Sequence, residues 1–371
     1  MENLPNRTRW VIVGAGFAGA ATAWALGRQR LGPGVVLERE PVYGFHASGR
    51  NAALLRVAES DPIIRALVLR SLGHIRQLER PGEVLLRPTG GLSLVDRARA
   101  RELERQHDEF RRDNLQTRLL PAAEAKSRFP LLGAVRFHMA MLCQLEGVVD
   151  IHALLTLYLE TARKAGFTLH TRCTVDDLLV EAGRVVGVHT SSGDIRADAV
   201  IDASGAWAGR LGRASRPLPL QPLRRHLFVF GPPPGGHQDC PFVWVEDAAF
   251  YFRPEGDGLL FSPCDETPMA PCDPAVDPAA SELLAEKLAR SAPAFVELPL
   301  RKSWACLRTF ATDRRPMIGP DPEVPGLYHV SGLGGFGMGA SAAVGELAGE
   351  ILAGRRPDWI DVGKVTPGRP F

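Results

Sequence analysis

The stretch Trp10-Val11-Ile12-Val13-Gly14-Ala15-Gly16-Phe17-Ala18-Gly19-Ala20-Ala21-Thr22-Ala23 decides the fold. It reads as a buried strand that passes through a glycine turn into a helix. Gly14 makes the tight turn, Gly16 lets the backbone approach a pyrophosphate, and Gly19 lets the helix pack closely on the strand. Phosphates then meet the positive end of the helix, at Phe17 and Ala18. Val35-Val36-Leu37 supplies a second short strand that ends at Glu38, roughly where a carboxylate binds both hydroxyls of a ribose. That charge repels a 2′-phosphate, which argues against NADP. Glycine turns also occur without a ligand, but here strand, turn, helix, second strand and terminal acid agree. Three glycines interrupt the apolar run and it lacks a basic segment followed by a small-residue cleavage site, so a βα unit is expected rather than a signal sequence.

A chain of 371 residues is long enough for two domains with separate cores. The formal net charge is +2 and the basic residues are dispersed, which gives no footprint for nucleic acid. No run of about 18 uninterrupted apolar residues occurs, so no membrane span is expected. The six cysteines show no CxxC or metal-ligand spacing, which predicts reduced thiols, no metal site and a cytoplasmic protein. Cys264 and Cys272 share a Pro-rich loop, but pairing there is the lesser expectation.

After Glu38 and Arg39, a loop of small and polar residues, Gly44-Phe45-His46-Ala47-Ser48-Gly49-Arg50-Asn51-Ala52-Ala53, offers backbone donors to an anionic or heteroaromatic ligand. Residues 84–86 and 90–95 read as a hairpin. A helix follows with Ala100, Leu103, His107 and Phe110 on one face, so the charge run from Arg97 to Arg112 is a solvated face. The clearest helix spans 151–165, and short strands are expected over 168–172, 175–181 and 184–190. Ala199-Val200-Ile201-Asp202 reads as a buried parallel strand that ends at a second glycine turn, Ala203-Ser204-Gly205-Ala206-Trp207. From Pro217 to about Cys306, strands and Pro-rich loops suggest an antiparallel sheet. The last glycine turn, Gly334-Gly335-Phe336-Gly337-Met338-Gly339, enters a helix.

With these segments together, the chain resembles the D-amino-acid oxidase/glycine oxidase superfamily of FAD enzymes over nearly its full length. Within it, residues 44–53, Gln221-Pro222-Leu223-Arg224-Arg225, the turn Pro232-Pro233-Pro234-Gly235, Phe250-Tyr251 and Trp304-Ala305-Cys306-Leu307-Arg308 look most like bacterial D-arginine dehydrogenases. The resemblance implies an α/β fold: a Rossmann-type FAD-binding domain (1–80, 141–216 and 307–371) and an α+β substrate domain built on an antiparallel sheet (81–140 and 217–306). It implies FAD held without a covalent bond by Gly14, Gly16, Phe17, Ala18, Gly19, Glu38 and Arg39, with Val175 at the adenine. Ser48, Gly49, Arg50, Asn51 and Ala52 would approach the ribityl chain and flavin. Ala203, Ser204, Gly205 and Trp207 form the second turn against the cofactor, and Gly335, Phe336, Gly337, Met338 and Gly339 close over the ring.

Arg225, Tyr251 and Arg308 match positions that bind the substrate carboxylate, and Leu54, Glu59, Thr89 and Gly335 match the rest of the pocket. On its own, strand alternation puts Arg225 on an otherwise apolar face with Leu227 and Val229, where a structural salt bridge is the first expectation. The resemblance turns the reading toward a substrate clamp. Thr89 stands where the acid that holds a guanidinium would be, Glu59 where a lid tyrosine would be, and Leu54 and Arg56 replace a histidine and a threonine near the flavin. These departures shift the expected substrate from arginine to D-amino acids with neutral or apolar side chains, oxidised by hydride transfer from Cα to flavin N5. The imino acid then hydrolyses to the 2-oxo acid and ammonia.

Rival readings are an N-substituted amine oxidase of the sarcosine/glycine type, a 2-hydroxy-acid dehydrogenase, and a flavin-binding subunit of a larger complex. An alcohol needs a base to take its proton. His46, His226 and His329 are candidates, although packing or structural hydrogen bonds are the stronger expectation for each. Oxygen, a quinone or another protein could reoxidise the flavin.

Overall fold

The computed structural model describes residues 4–211, 217–233 and 237–370. Pro234 and Gly235 of the expected proline turn, and residues 1–3, 212–216 and 371 of the expected cofactor domain, lie outside them. A first sheet has five parallel strands in the order Thr168–His170, Gly34–Leu37, Arg7–Val13, Gly193–Asp202 and Leu327–Ser331. Hydrophobic runs such as Val11-Ile12 and Val200-Ile201 are wholly buried, as parallel strands covered on both faces require. The Gly193–Asp202 strand uses one edge twice. Its first residues pair antiparallel with Arg184–Thr190, and its last pair with Leu327–Ser331.

The helices Phe17–Arg28, Ile151–Lys164 and Ser341–Leu352 pack together on this sheet. Asp150 caps the second of them by accepting the Ala153 N–H at 2.9 Å, which satisfies one of the free donors of its first turn. The periodicity of residues 151–162 is matched by burial of Leu154, Tyr158 and Ala162.

The second sheet runs in the order Thr267–Pro268, Leu220–Phe230, Gly258–Ser262, Phe250–Glu255, Phe242–Val245, Gly91–Val95, Met139–Cys143, Thr117–Pro121, with Leu300–Ala311 also beside Leu220–Phe230. All pairs are antiparallel except Phe242–Val245 with Gly91–Val95. One face buries Phe228, Phe252, Phe261 and Phe295. The other, with Leu227, Tyr251, Leu260 and Cys306, packs on Ala47, Ala52 and Leu54 of the cofactor-side loop.

Three expectations change. Residues 84–86 and 90–95 are not a hairpin: Leu86–Arg87 joins a small sheet with Gly147–Val149 and Leu54–Leu55, while Gly91–Val95 enters the large one. The reason is that partners from farther along the chain, Val148 and Val149 for Leu86–Arg87 and Met139–Cys143 for Gly91–Val95, replace the pairing across the short turn. The expected boundaries after 140 and 306 fall inside the strands Met139–Cys143 and Leu300–Ala311, because each strand stays in the antiparallel sheet to its end. Finally, Pro62–Leu78 is a helix that the sequence reading left unassigned. Pro62 starts it, and the Asp61 carboxylate accepts the N–H groups of Ile63 and Ile64 at 2.8 and 3.1 Å.

Candidate active site

A cavity of about 510 Å³ runs from the glycine turn to the antiparallel sheet, within the range of small-molecule sites. At one end lie Gly14, Gly16, Phe17, Ala18, Glu38, Arg39 and Val175. Ser48, Arg50, Asn51, Ala203, Ser204, Gly205 and Trp207 follow, and Gly335, Gly337, Met338 and Arg308 complete the wall. Gly19, Gly49, Ala52, Phe336 and Gly339 stand behind this surface and do not line it.

The glycine turn is shaped for close approach. Gly14 has φ +101°, and a Cβ there would meet the Ala203 carbonyl oxygen at 2.6 Å. A Cβ on Gly19 would lie 1.9 Å from the Gly14 carbonyl oxygen, so only glycine allows this helix to rise from this strand. Ser48 Oγ accepts the Phe17 N–H at 2.9 Å, which ties the polar loop to the helix N-terminus. Asn51 folds the loop on itself, donating to the Ser48 carbonyl and accepting the Ala53 N–H, each at 2.7 Å.

Glu38 is buried, and its carboxylate accepts the Ala15 N–H at 2.9 Å and the Glu40 N–H at 3.0 Å. It therefore holds the glycine turn as well as facing the cavity. Arg39 lies 3.5 Å over the Trp207 ring, and His46 lies 2.9 Å from Glu40 and 4.9 Å from that ring. Burial opposes the Glu40 charge, yet bonds to His46 and Arg39 hold its pKa below the usual carboxylate range. Glu38→Ala is expected to weaken FAD binding by about 1.5 to 3 kcal/mol, the value of charge-assisted hydrogen bonds. Fluorescence titration of the apoprotein measures it; unchanged affinity would put the ribose elsewhere.

At the sheet end, Arg308 Nη2 donates to the Tyr251 hydroxyl at 3.2 Å. Gly335, at φ +93°, packs on this arginine: a Cβ would stand 2.9 Å from Nη1. Among the described residues no carboxylate pairs with Arg308. Arg225 is different. Its Nε donates to the Asp265 carbonyl at 2.7 Å and its Nη2 to Glu266 at 2.9 Å, so it sits on the same sheet face but in an internal ion pair. Three cysteines, Cys173, Cys272 and Cys306, also line the cavity. Burial pushes the Cys306 thiol pKa up against the pull of Arg308 and Arg225. All six cysteines are free.

Leu54 packs with Tyr251 and Trp244. Thr89 turns its hydroxyl onto the Gly90 carbonyl at 3.2 Å. Glu59, expected as a solvated loop residue, is only 16% exposed at its side chain and lies 3.3 Å from Arg56, because burial demands a counter-charge. None of the three histidines adjoins the clamp. His226 bonds Asp265 at 2.7 Å and accepts the Asp277 N–H, and His329 lies between Asp321 at 2.8 Å and Asp202 at 3.5 Å.

A glycine cradle that any Cβ would fill, a buried acid at the end of the second strand and a cavity lined by both fit a dinucleotide. The DAO family, described as FAD dependent oxidoreductase, matches residues 9–351. The chain belongs to that family. It is similar to the FAD-dependent oxidoreductase domain-containing protein 1 of Xenopus laevis, 27% identical over 94% of this chain and 79% of the relative. It is 28% identical to a glycine oxidase of Pseudomonas aeruginosa over 94% of this chain and 96% of that one. The solved L-proline dehydrogenase of P. horikoshii superposes with a TM-score of 0.87 at 21% identity, covering 98% of each chain. This DAO-family chain is an FAD-dependent oxidoreductase with a Rossmann-type cofactor domain. Among the described residues no helix is long and apolar enough to cross a membrane.

Proposed function

We propose that this enzyme oxidises a D-amino acid with a neutral or apolar side chain to the imino acid, which water converts to the 2-oxo acid and ammonia. One observation carries the reading: among the described residues Arg308 is a cation without a carboxylate partner on the wall of the cofactor cavity, steadied by Tyr251 and packed against Gly335. Such a charge at a low-dielectric surface calls for an anion, and a substrate carboxylate supplies one. Kinship to a glycine oxidase supports the amino acid class.

FAD, when bound, accepts the hydride. The chain itself binds and orients: Arg308 and Tyr251 fix the carboxylate, and Leu54 and Trp244 support Tyr251 by packing with it. An amine that binds neutral needs no side-chain base, in keeping with three histidines that are all engaged elsewhere. The same point counts against a 2-hydroxy acid, whose hydroxyl proton must be taken. A stopped-flow screen of flavin bleaching with D- and L-amino acids, N-methyl amino acids and 2-hydroxy acids tests the proposal. Fast bleaching by 2-hydroxy acids with none by amino acids would overturn it.

A further inference from the structure

Behind Tyr251 lies a charged cluster that this scheme does not use. Arg56 holds its guanidinium 4.3 Å from the centre of the Trp244 ring. Its Nη2 donates to Glu246 at 3.0 Å and its Nε lies 3.3 Å from Glu59. The Trp244 ring is 4.8 Å from the Tyr251 ring and tilted by 30° to it, so the contacts run from this guanidinium through Trp244 and Tyr251 to Arg308. The backbone around it is pinned. Glu146 accepts the Val57 and Ala58 N–H groups at 2.8 and 2.7 Å, and Arg65 donates to the Glu59 carbonyl at 2.5 Å.

The cluster carries more acid than base. Glu59, Glu246 and Glu146 all act on the single cation of Arg56. Burial raises the pKa of Glu59 and lifts Glu146 to about 7, with the Arg56 charge opposing both. Two carboxylates facing the same side of an indole ring are what a free guanidinium or ammonium group binds to. Here a side chain of the protein already stands there.

We infer that Arg56 is a specificity-determining residue: its guanidinium fills a cation subsite formed by Glu59, Glu246 and the Trp244 ring and thereby excludes substrates with a positively charged side chain. This deepens the amino acid reading and rests on it for the identity of the excluded substrates. Because the loop is held by Glu146 and Arg65, removing the guanidinium leaves the carboxylates in place and creates a vacancy of its shape.

The test compares wild-type, Arg56→Ala and Arg56→Gln holoenzymes, the glutamine variant serving if the alanine variant does not fold. The first probe is methylguanidinium chloride at millimolar concentration against equal sodium chloride, read as the thermal midpoint. Expected is stabilisation of the variant and none of the wild type, abolished when Glu59→Gln and Glu246→Gln are added. The second probe is kcat/KM for both enantiomers of arginine and of alanine. The arginine-to-alanine ratio should rise at least about tenfold in the variant, the effect of one good charge-assisted contact. A variant indifferent to methylguanidinium, or an unchanged ratio, overturns the inference. If no amino acid is oxidised by any of the proteins, the functional reading fails while the methylguanidinium result still decides the subsite.

Discussion

Arg308→Ala should lower kcat/KM for the best amino acid substrate by about 30-fold to several thousand-fold, with FAD content unchanged. The figure corresponds to about 2 to 5 kcal/mol for truncating one partner of a desolvated, hydrogen-bonded charge pair. Much of that loss reflects a substrate carboxylate left without its cation. Tyr251→Phe removes one neutral donor and should cost far less, about 0.5 to 1.5 kcal/mol. Arg225 offers a contrast on the same sheet face, because its bonds to Glu266 and the Asp265 carbonyl are already made. Arg225→Ala is therefore expected to lower the thermal midpoint, and any effect on kcat/KM reports how far it also reaches the substrate. Steady-state kinetics on flavin-saturated protein checks the set. If Arg308→Ala and Arg225→Ala both retain near-wild-type kcat/KM, the carboxylate is bound elsewhere.

His329→Asn is expected to destabilise the folded protein by about 3 to 5 kcal/mol, the cost of removing one member of a buried ionic group. His329, Asp202 and Asp321 are almost wholly buried. Burial opposes the imidazolium, but contacts with Asp202 and Asp321 raise its pKa, and the same contacts lower those of both aspartates against the pull of burial. The signs give a window. A raised histidine pKa contributes stability that is full below about 6.5 and is lost as pH rises through the folded value. Depressed aspartate pKa values contribute stability present above about 3.9 and lost as pH falls through the folded values. The gap between wild type and variant should thus be widest between those limits and narrow on the alkaline side. Thermal midpoints across about pH 4 to 9, which follow the histidine side of that window, measure it, and a gap that widens with rising pH would contradict a charged His329. Asp202 also accepts the Ser204 and Gly209 N–H groups at 3.2 and 2.8 Å, so the variant should hold FAD less tightly through the turn at residues 203–209.

The βα unit and its acid were legible in the sequence because everything needed lies within one local element. The turn, the helix start and the strand that ends at Glu38 are close in the chain, Ala15 and Glu38 being 23 residues apart; Gly14 is required locally by its φ of +101° and Gly19 by the Gly14 carbonyl. The helix over 151–164 was equally legible from apolar spacing on one face. The Pro62–Leu78 helix was less legible, since its start rests on Asp61 before Pro62 alone and its buried face is fixed by packing against distant segments. The sequence by itself thus determined the cofactor class and the residue types available to hold it.

Only the tertiary structure decided how the charges are shared. Arg225 and Arg308 occupy equivalent faces of paired strands, yet one meets Glu266, 41 residues away, and the other meets Tyr251, 57 residues away, with no acid opposite among the described residues. Glu59 meets Arg56 from three residues away, and Glu246, from the turn after Phe242–Val245, joins it there. The physical reason is that a side chain's partner depends on which strands lie side by side. The second sheet takes its strands from segments spread between Gly91 and Ala311, and no local pattern records which acid stands across from which arginine.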